Sequence, residues 1–228
     1  MLPLLIVLIA AILGFVFLRD VLSFDALAEN RDMLEALRDN NYAVTALVFI
    51  LAYTLIVSFS LPGATIASLT GGFLFGIFPG AVFNVIAATI GATGIFLAAK
   101  SGLGDRLAAL MTAQEGRMSK MKQELDRNQW SYLFVMRLVP AVPFFLANLL
   151  PALVGVPLHR FVVSTFFGIV PGAIVLTSVG AGLGSVLDQG EMPDLGIVFE
   201  PRILVPLLAL GALSLLPIAL RYFKKDNR

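Results

Sequence analysis

Two long apolar runs in this chain are interrupted midway, and these interruptions constrain the fold more than any other feature. In the first, Val57-Ser58-Phe59-Ser60-Leu61 meets Pro62, Gly63, Ala64 and Thr65; in the second, Val135-Met136-Arg137-Leu138-Val139 meets Pro140, Ala141, Val142 and Pro143. Proline lacks a backbone donor and drives the residue before it out of the helical region, so each run must bend or end there. Both interruptions fall where an ordinary membrane span would continue as helix.

Composition places the chain in a membrane. Its 228 residues are 58% hydrophobic and 14% charged, with a mean hydropathy of +0.91, far from the balance of a soluble domain. The fifteen carboxylates fall in four polar stretches, at 19–41, 100–127, 186–202 and the tail from 221, and only Arg137 and Arg160 among charged residues lie outside them. The absence of cysteine excludes disulfides, thiolate catalysis and cysteine metal sites, and the single histidine, His159, is too few for a histidine metal centre. No cofactor and no metal are expected. The net charge of +1, without a basic patch interleaved with aromatics, argues against nucleic acid.

The fold class expected is an all-α polytopic membrane protein. Residues 2–18 lack the basic flank and cleavage site of a signal peptide, so they are expected to be an uncleaved first span. Ser23 can cap a surface helix through Phe24, Leu27, Leu34 and Leu37. Residues 43–59 lead to the Pro62 break and a short helix rich in small residues. The Gly76-Ile77-Phe78-Pro79-Gly80 corner then opens a full span at 81–99. The polar stretch 100–127 is either an interfacial helix pair or a solvated connector. From Trp130 the pattern returns: a helix to Val139, the breaks at Pro140 and Pro143, and a short helix 144–150. Pro151, Gly155 and Pro157 end that piece before a span at 161–179, and the last span is 203–220.

Shifting the chain by 78 to 80 residues superposes Leu61-Pro62 on Val139-Pro140, Gly76 on Gly155, and Ser101-Gly102-Leu103-Gly104 on Ala181-Gly182-Leu183-Gly184. Paired interrupted segments in two halves are the sequence sign of a transporter built from inverted repeats. Lys and Arg number six in 100–127 and four in the tail, against three in 19–41 and one in 186–202. Basic loops stay cytoplasmic, so both termini should be inside, with 43–78 a re-entrant hairpin from outside and 128–157 one from inside. Each hairpin is followed by one crossing, giving four full spans in all. Non-helical backbone at membrane depth must be buried or line a wet cavity, so the two tips should meet inside the protein. The glycine pairs Gly72/Gly76, Gly168/Gly172 and Gly180/Gly184 would allow close helix contact.

Leu61-Pro62-Gly63-Ala64-Thr65, Gly71-Gly72-Phe73-Leu74-Phe75-Gly76, Gly91-Ala92-Thr93-Gly94, and Arg137-Leu138-Val139-Pro140 with Pro143-Phe144 and Asn148 resemble the VTT-domain superfamily, also called the DedA or SNARE-associated Golgi protein family. The likeness covers 43–187 and is nearer the TVP-type branch than DedA proper. It implies two opposed re-entrant hairpins and the movement of lipids between leaflets, as phospholipid scramblases or in undecaprenyl phosphate recycling. DedA proteins carry membrane-embedded acidic residues, whereas this chain has none in its hairpins or spans. The domain reading is therefore an N-terminal span and acidic segment at 1–42 and a VTT-like unit at 43–187, with repeats 43–104 and 118–187. An external loop, last span and basic tail follow at 188–228.

Arg137 lies three residues before Pro140 in an apolar run, where an arginine costs at least about 2.5 kcal/mol to insert. It is either an anion site for a lipid phosphate or a clamp on backbone carbonyls freed by the break, and the two roles are compatible. The N-termini of the two short helices present unpaired amides toward the same region, so Pro62, Gly63, Thr65, Pro140, Pro143 and Asn148 join Arg137 as substrate-site candidates. The hydroxyls of Ser58, Ser60 and Thr65 can instead satisfy local backbone, and Asn84 and Asn148 can bond between helices. His159 and Arg160 sit at the inner interface as anchors or a gate.

The function expected is a lipid transporter or scramblase whose partners are membrane lipids, with a homo-oligomer left open. A small-ion or solute transporter of the same architecture and a non-transporting scaffold are the alternatives. An enzyme is not expected, since no embedded acid/base pair, nucleophile triad or metal cluster is present. The location expected is a bacterial inner membrane.

Overall fold

The computed structural model describes residues 2–17, 23–61, 63–104, 123, 126–139, 142–183 and 200–226, and every regular element among them is helical. Pro62 and Pro140 lie outside the described residues, as do most of the polar connector expected between 100 and 127, the loop 186–199 and Gly184.

Helix α1 is Leu2–Phe17. The expected surface helix is two helices, α2 Phe24–Glu29 and α3 Arg31–Asn40, because the backbone turns at Asn30 (φ −98°, ψ 13°). Ser23 caps α2 as its position suggested, Oγ accepting from the Ala26 amide at 3.1 Å.

Helix α4, Tyr42–Ser58, ends before proline is reached. The Leu61 amide donates to the Ile56 carbonyl at 2.8 Å and the Ser60 amide to Val57 at 3.1 Å, with Ser60 at φ 51°. This is a Schellman closure with a serine where glycine is usual. Gly63, at φ 98°, then starts α5, Ala64–Phe75. Gly76 (φ 76°) turns the chain into α6, Ile77–Ala99, so Pro79 and Gly80 lie in its first turn rather than ahead of a span starting at 81. A proline there removes an amide that has no intrahelical partner anyway. The helix continues as a π-helical turn at Lys100–Gly104.

The second half comprises α7 Gln129–Leu138, α8 Phe144–Leu153, α9 Leu158–Gly168, α10 Val170–Ala181 and α11 Pro201–Asp226. Pro151 sits inside α8 instead of ending it. The stop is a second Schellman closure, the Val156 amide donating to the Pro151 carbonyl at 2.9 Å around Gly155 at φ 79°. The span expected at 161–179 is α9 and α10, separate at Ile169, where Pro171 withholds a donor from the ladder.

Helix α5 is held between α6 and α10 by backbone contact. A Cβ at Gly72 would run into the Thr177 carbonyl, and one at Gly180 into that of Leu69. Of the three glycine pairs, Gly72 and Gly180 each supply one such contact, Gly168 meets only the side chains of Arg137 and Phe134, and Gly76 and Gly172 have nothing within 4 Å. Phe96 stacks on Phe161 at 4.3 Å, both fully buried, joining α6 to α9. Above α5, Leu27 packs with Leu69 and Leu183, and the Arg38 Nη1 donates to the Leu74 carbonyl at 3.4 Å.

Candidate functional site

Both interrupted units contribute to one cavity of about 240 Å³, walled by Tyr53 of α4, Ala64, Thr65 and Ser68 of α5, Asn84 of α6, Arg137 of α7, Phe144 of α8 and Gly172 of α10. Among the described residues Arg137 is the one charged side chain lining it. The guanidinium Nη2 donates to Thr165 Oγ1 at 2.8 Å. Its Cζ lies 5.1 Å from the centre of the Phe161 ring and 5.6 Å from that of Phe144, so the charge is flanked by two aromatics. Nη1 is buried and has no hydrogen-bond partner among the described residues. The stem rests on Gly168, which leaves α7 close to α9 at this level.

The first turn of α5 adds donors. Its cap residue Gly63 makes no side-chain bond to it, and the first cap-to-helix bond is the Ala67 amide to the Gly63 carbonyl at 2.8 Å. The amides of Ala64 and Thr65 therefore carry the positive end of the helix dipole at the cavity wall. Ala64, Thr65 and Phe144 also line a second cavity, of about 400 Å³, with Ser60 and Gly63.

The structure brings Arg137 and Thr65 together in the first cavity and places Gly63 in the second. Pro143 caps α8 and is exposed. Asn148 is 1% exposed on α8, lines neither cavity, and has no partner for either amide atom among the described residues. Arg137 bonds the Thr165 hydroxyl, and the backbone of the break at Pro140, which a clamp would hold, lies outside the described residues. Ser58 reaches α6, its Oγ donating to the Gly91 carbonyl at 3.4 Å, while Asn84 Nδ2 donates to the Ser68 carbonyl at 2.9 Å. His159 is exposed; Arg160 Nη1 donates to Gln129 Oε1 at 2.9 Å, tying α9 to α7.

Sequence reasoning missed Tyr53, Ser68, Thr165 and Gln129. The signal available was that each is a polar side chain within or beside an apolar run, and such groups tend to pair between helices. Among the described residues there is no cluster of three metal-ligating side chains.

An all-helical chain with a part-buried arginine lining a cavity between apolar helices fits the class of helical membrane proteins. Among the described residues two helical stretches, Ile77–Gly102 and Leu158–Ala181, are long and apolar enough to cross a bilayer. Residues 61–182 match the VTT domain, more than half of the chain, so this protein belongs to the VTT-domain family, within the DedA/VTT superfamily. It is 28% identical over 198 residues to the transmembrane protein 41 homolog of Dictyostelium discoideum, covering 86% of this chain and 57% of that one. Over 199 residues it is 28% identical to the Caenorhabditis elegans homolog (86% and 77%), and over 198 residues 25% identical to human transmembrane protein 41B (81% and 62%). The chain thus spans less than two thirds of the Dictyostelium and human proteins. These relatives are eukaryotic transmembrane proteins, which supports a membrane location and not a bacterial one in particular. No solved structure matches the chain.

Proposed function

We propose that this protein moves lipids between the leaflets of its membrane, a phosphate headgroup entering the cavity at Arg137 while the acyl tails remain in the bilayer. The observation that carries this reading is the buried Nη1 of Arg137, without a hydrogen-bond partner among the described residues, in a cavity it shares with the first turn of α5. A guanidinium donor left unpaired in a low-dielectric interior is costly, and a phosphate oxygen satisfies it with a charge-assisted bond. The aromatic flanks and Thr165 fix the fork in place. The ligands are membrane lipids, and no chemical step on them is proposed.

The architecture we assign to this function is a pair of opposed re-entrant hairpins, α4–α5 from outside and α7–α8 from inside, with both termini cytoplasmic. Helix lengths support it: α5 has 12 residues and α7 and α8 have 10 each, rising about 18 and 15 Å, too little for a hydrocarbon core of about 30 Å. The charge asymmetry of the loops supplies the orientation.

The test is purified protein in liposomes carrying a fluorescent phospholipid, with ion flux measured in the same vesicles. Wild type should move the lipid without passing ions. Gly172→Leu, whose side chain meets nothing within 4 Å at its Cβ and so fills the cavity, should return transport to the rate of empty vesicles. Ion flux without lipid movement would favour a solute transporter, and neither activity a scaffold.

A further inference from the structure

We propose that the cleft beneath α2 and α3 is an outer antechamber of the central cavity, and that the Tyr53–Ser68 hydrogen bond is the latch between them. The cleft, of about 390 Å³, is roofed by α2 and α3 through Leu27, Asn30 and Leu34 and floored by α4 and α5. Tyr53 lines both this cleft and the central cavity, so its ring is their common wall.

The ring is 6% exposed, and its hydroxyl lies 2.7 Å from Ser68 Oγ across the gap between α4 and α5. Ser68 Oγ also donates to the Ala64 carbonyl at 3.1 Å, and a hydroxyl has one proton, so Tyr53 is the donor to Ser68. Among the described residues this one side-chain hydrogen bond joins α4 to α5 at the partition. The roof is separately pinned by Arg38 on the Leu74 carbonyl, near the C-terminus of α5. Acidic and basic residues of α2 and α3, Asp25, Asp32, Glu35 and Arg38 among them, place the roof in water, so the cleft is where a polar group from that face would enter. That the entering group is a lipid headgroup rests on the proposed function; the latch itself does not.

The chain has no cysteine, so single cysteines report access cleanly. Gly172→Cys places a thiol in the central cavity, and Ala52→Cys places one in the cleft. A membrane-impermeant cationic thiosulfonate is applied from the side on which Ala52→Cys reacts. With Tyr53→Phe, the labelling rate of Gly172→Cys should rise about three- to tenfold, the effect of losing one interhelical hydrogen bond at membrane depth. The rate at Ala52→Cys should not change. Ser68→Ala removes the same bond from the other helix and should give the same increase, which guards against a folding defect in either variant. An unchanged rate at Gly172→Cys in both variants, or no labelling of Gly172→Cys from that side at all, overturns the proposal. Labelling needs no lipid movement: loss of the scrambling assay with latch behaviour intact would refute the transport reading alone.

Discussion

The α4–α5 unit and the α7–α8 unit share an order of parts: helix, break, short helix, and a glycine of positive φ, Gly76 in one and Gly155 in the other. They are held differently. Seven of the twelve residues of α5 are buried, and its glycine face touches the backbone of α10, whereas four of the ten residues of α8 are buried. The first unit has no charged side chain; the second carries Arg137, held by one hydroxyl and two rings. Close backbone packing gives α5 a fixed position, and its first turn is thereby a fixed set of donors. The looser unit brings the charge to that set. One unit is scaffold, and under the proposed function the other supplies the group that binds.

If that division is right, the largest effect belongs to the scaffold. Gly72→Val must displace the Thr177 carbonyl, which backbone cannot yield cheaply, so a loss of more than about 4 kcal/mol and failure to purify as a monodisperse protein are expected. Size-exclusion and thermal melting in detergent check it, and a normal melt would break the comparison. In the looser unit the sign reverses. Asn148→Leu removes two amide atoms without partners among the described residues from a fully buried site and should stabilise by about 1–3 kcal/mol, read as a raised melting temperature. A large destabilisation would mean that Asn148 has a partner in the folded protein. The smallest effect is at the first break, where Ser60→Gly relieves a left-handed serine and should stabilise by about 0.5–1 kcal/mol in the same melt.

Proline shows how far the sequence could be read. The interruptions near Pro62 and Pro140 were legible because an apolar run that stops at small residues and proline has few alternatives. Pro79 and Pro151 were misleading, because a proline in the first turn of a helix withholds an amide that had no partner, and one in the last turn can be carried, whereas Pro171, where α9 and α10 separate, was passed over. The real stop of α4, a serine in the left-handed region, has no clear signature, since Ser60 carries none of glycine's steric exemption. The glycine corners were legible for the converse reason: Gly76 and Gly155 hold backbone that other residues rarely adopt. Arg137 stood out as a charge in an apolar run, but its partner Thr165 is 28 residues away, and Tyr53 and Ser68 are 15 apart. Pairings across helices depend on how the helices pack, and no local spacing encodes them.

The central claim is that Arg137 receives a lipid phosphate, and lipid transport by Arg137 variants in liposomes tests it most directly, with melting temperatures recorded on the same preparations. Arg137→Lys keeps the charge without the planar fork and should retain part of the transport; Arg137→Met should lose it while remaining folded and inserted. Transport equal to wild type by a stably folded Arg137→Met protein would contradict the account and leave the first turn of α5 as the only anion-binding feature of the cavity.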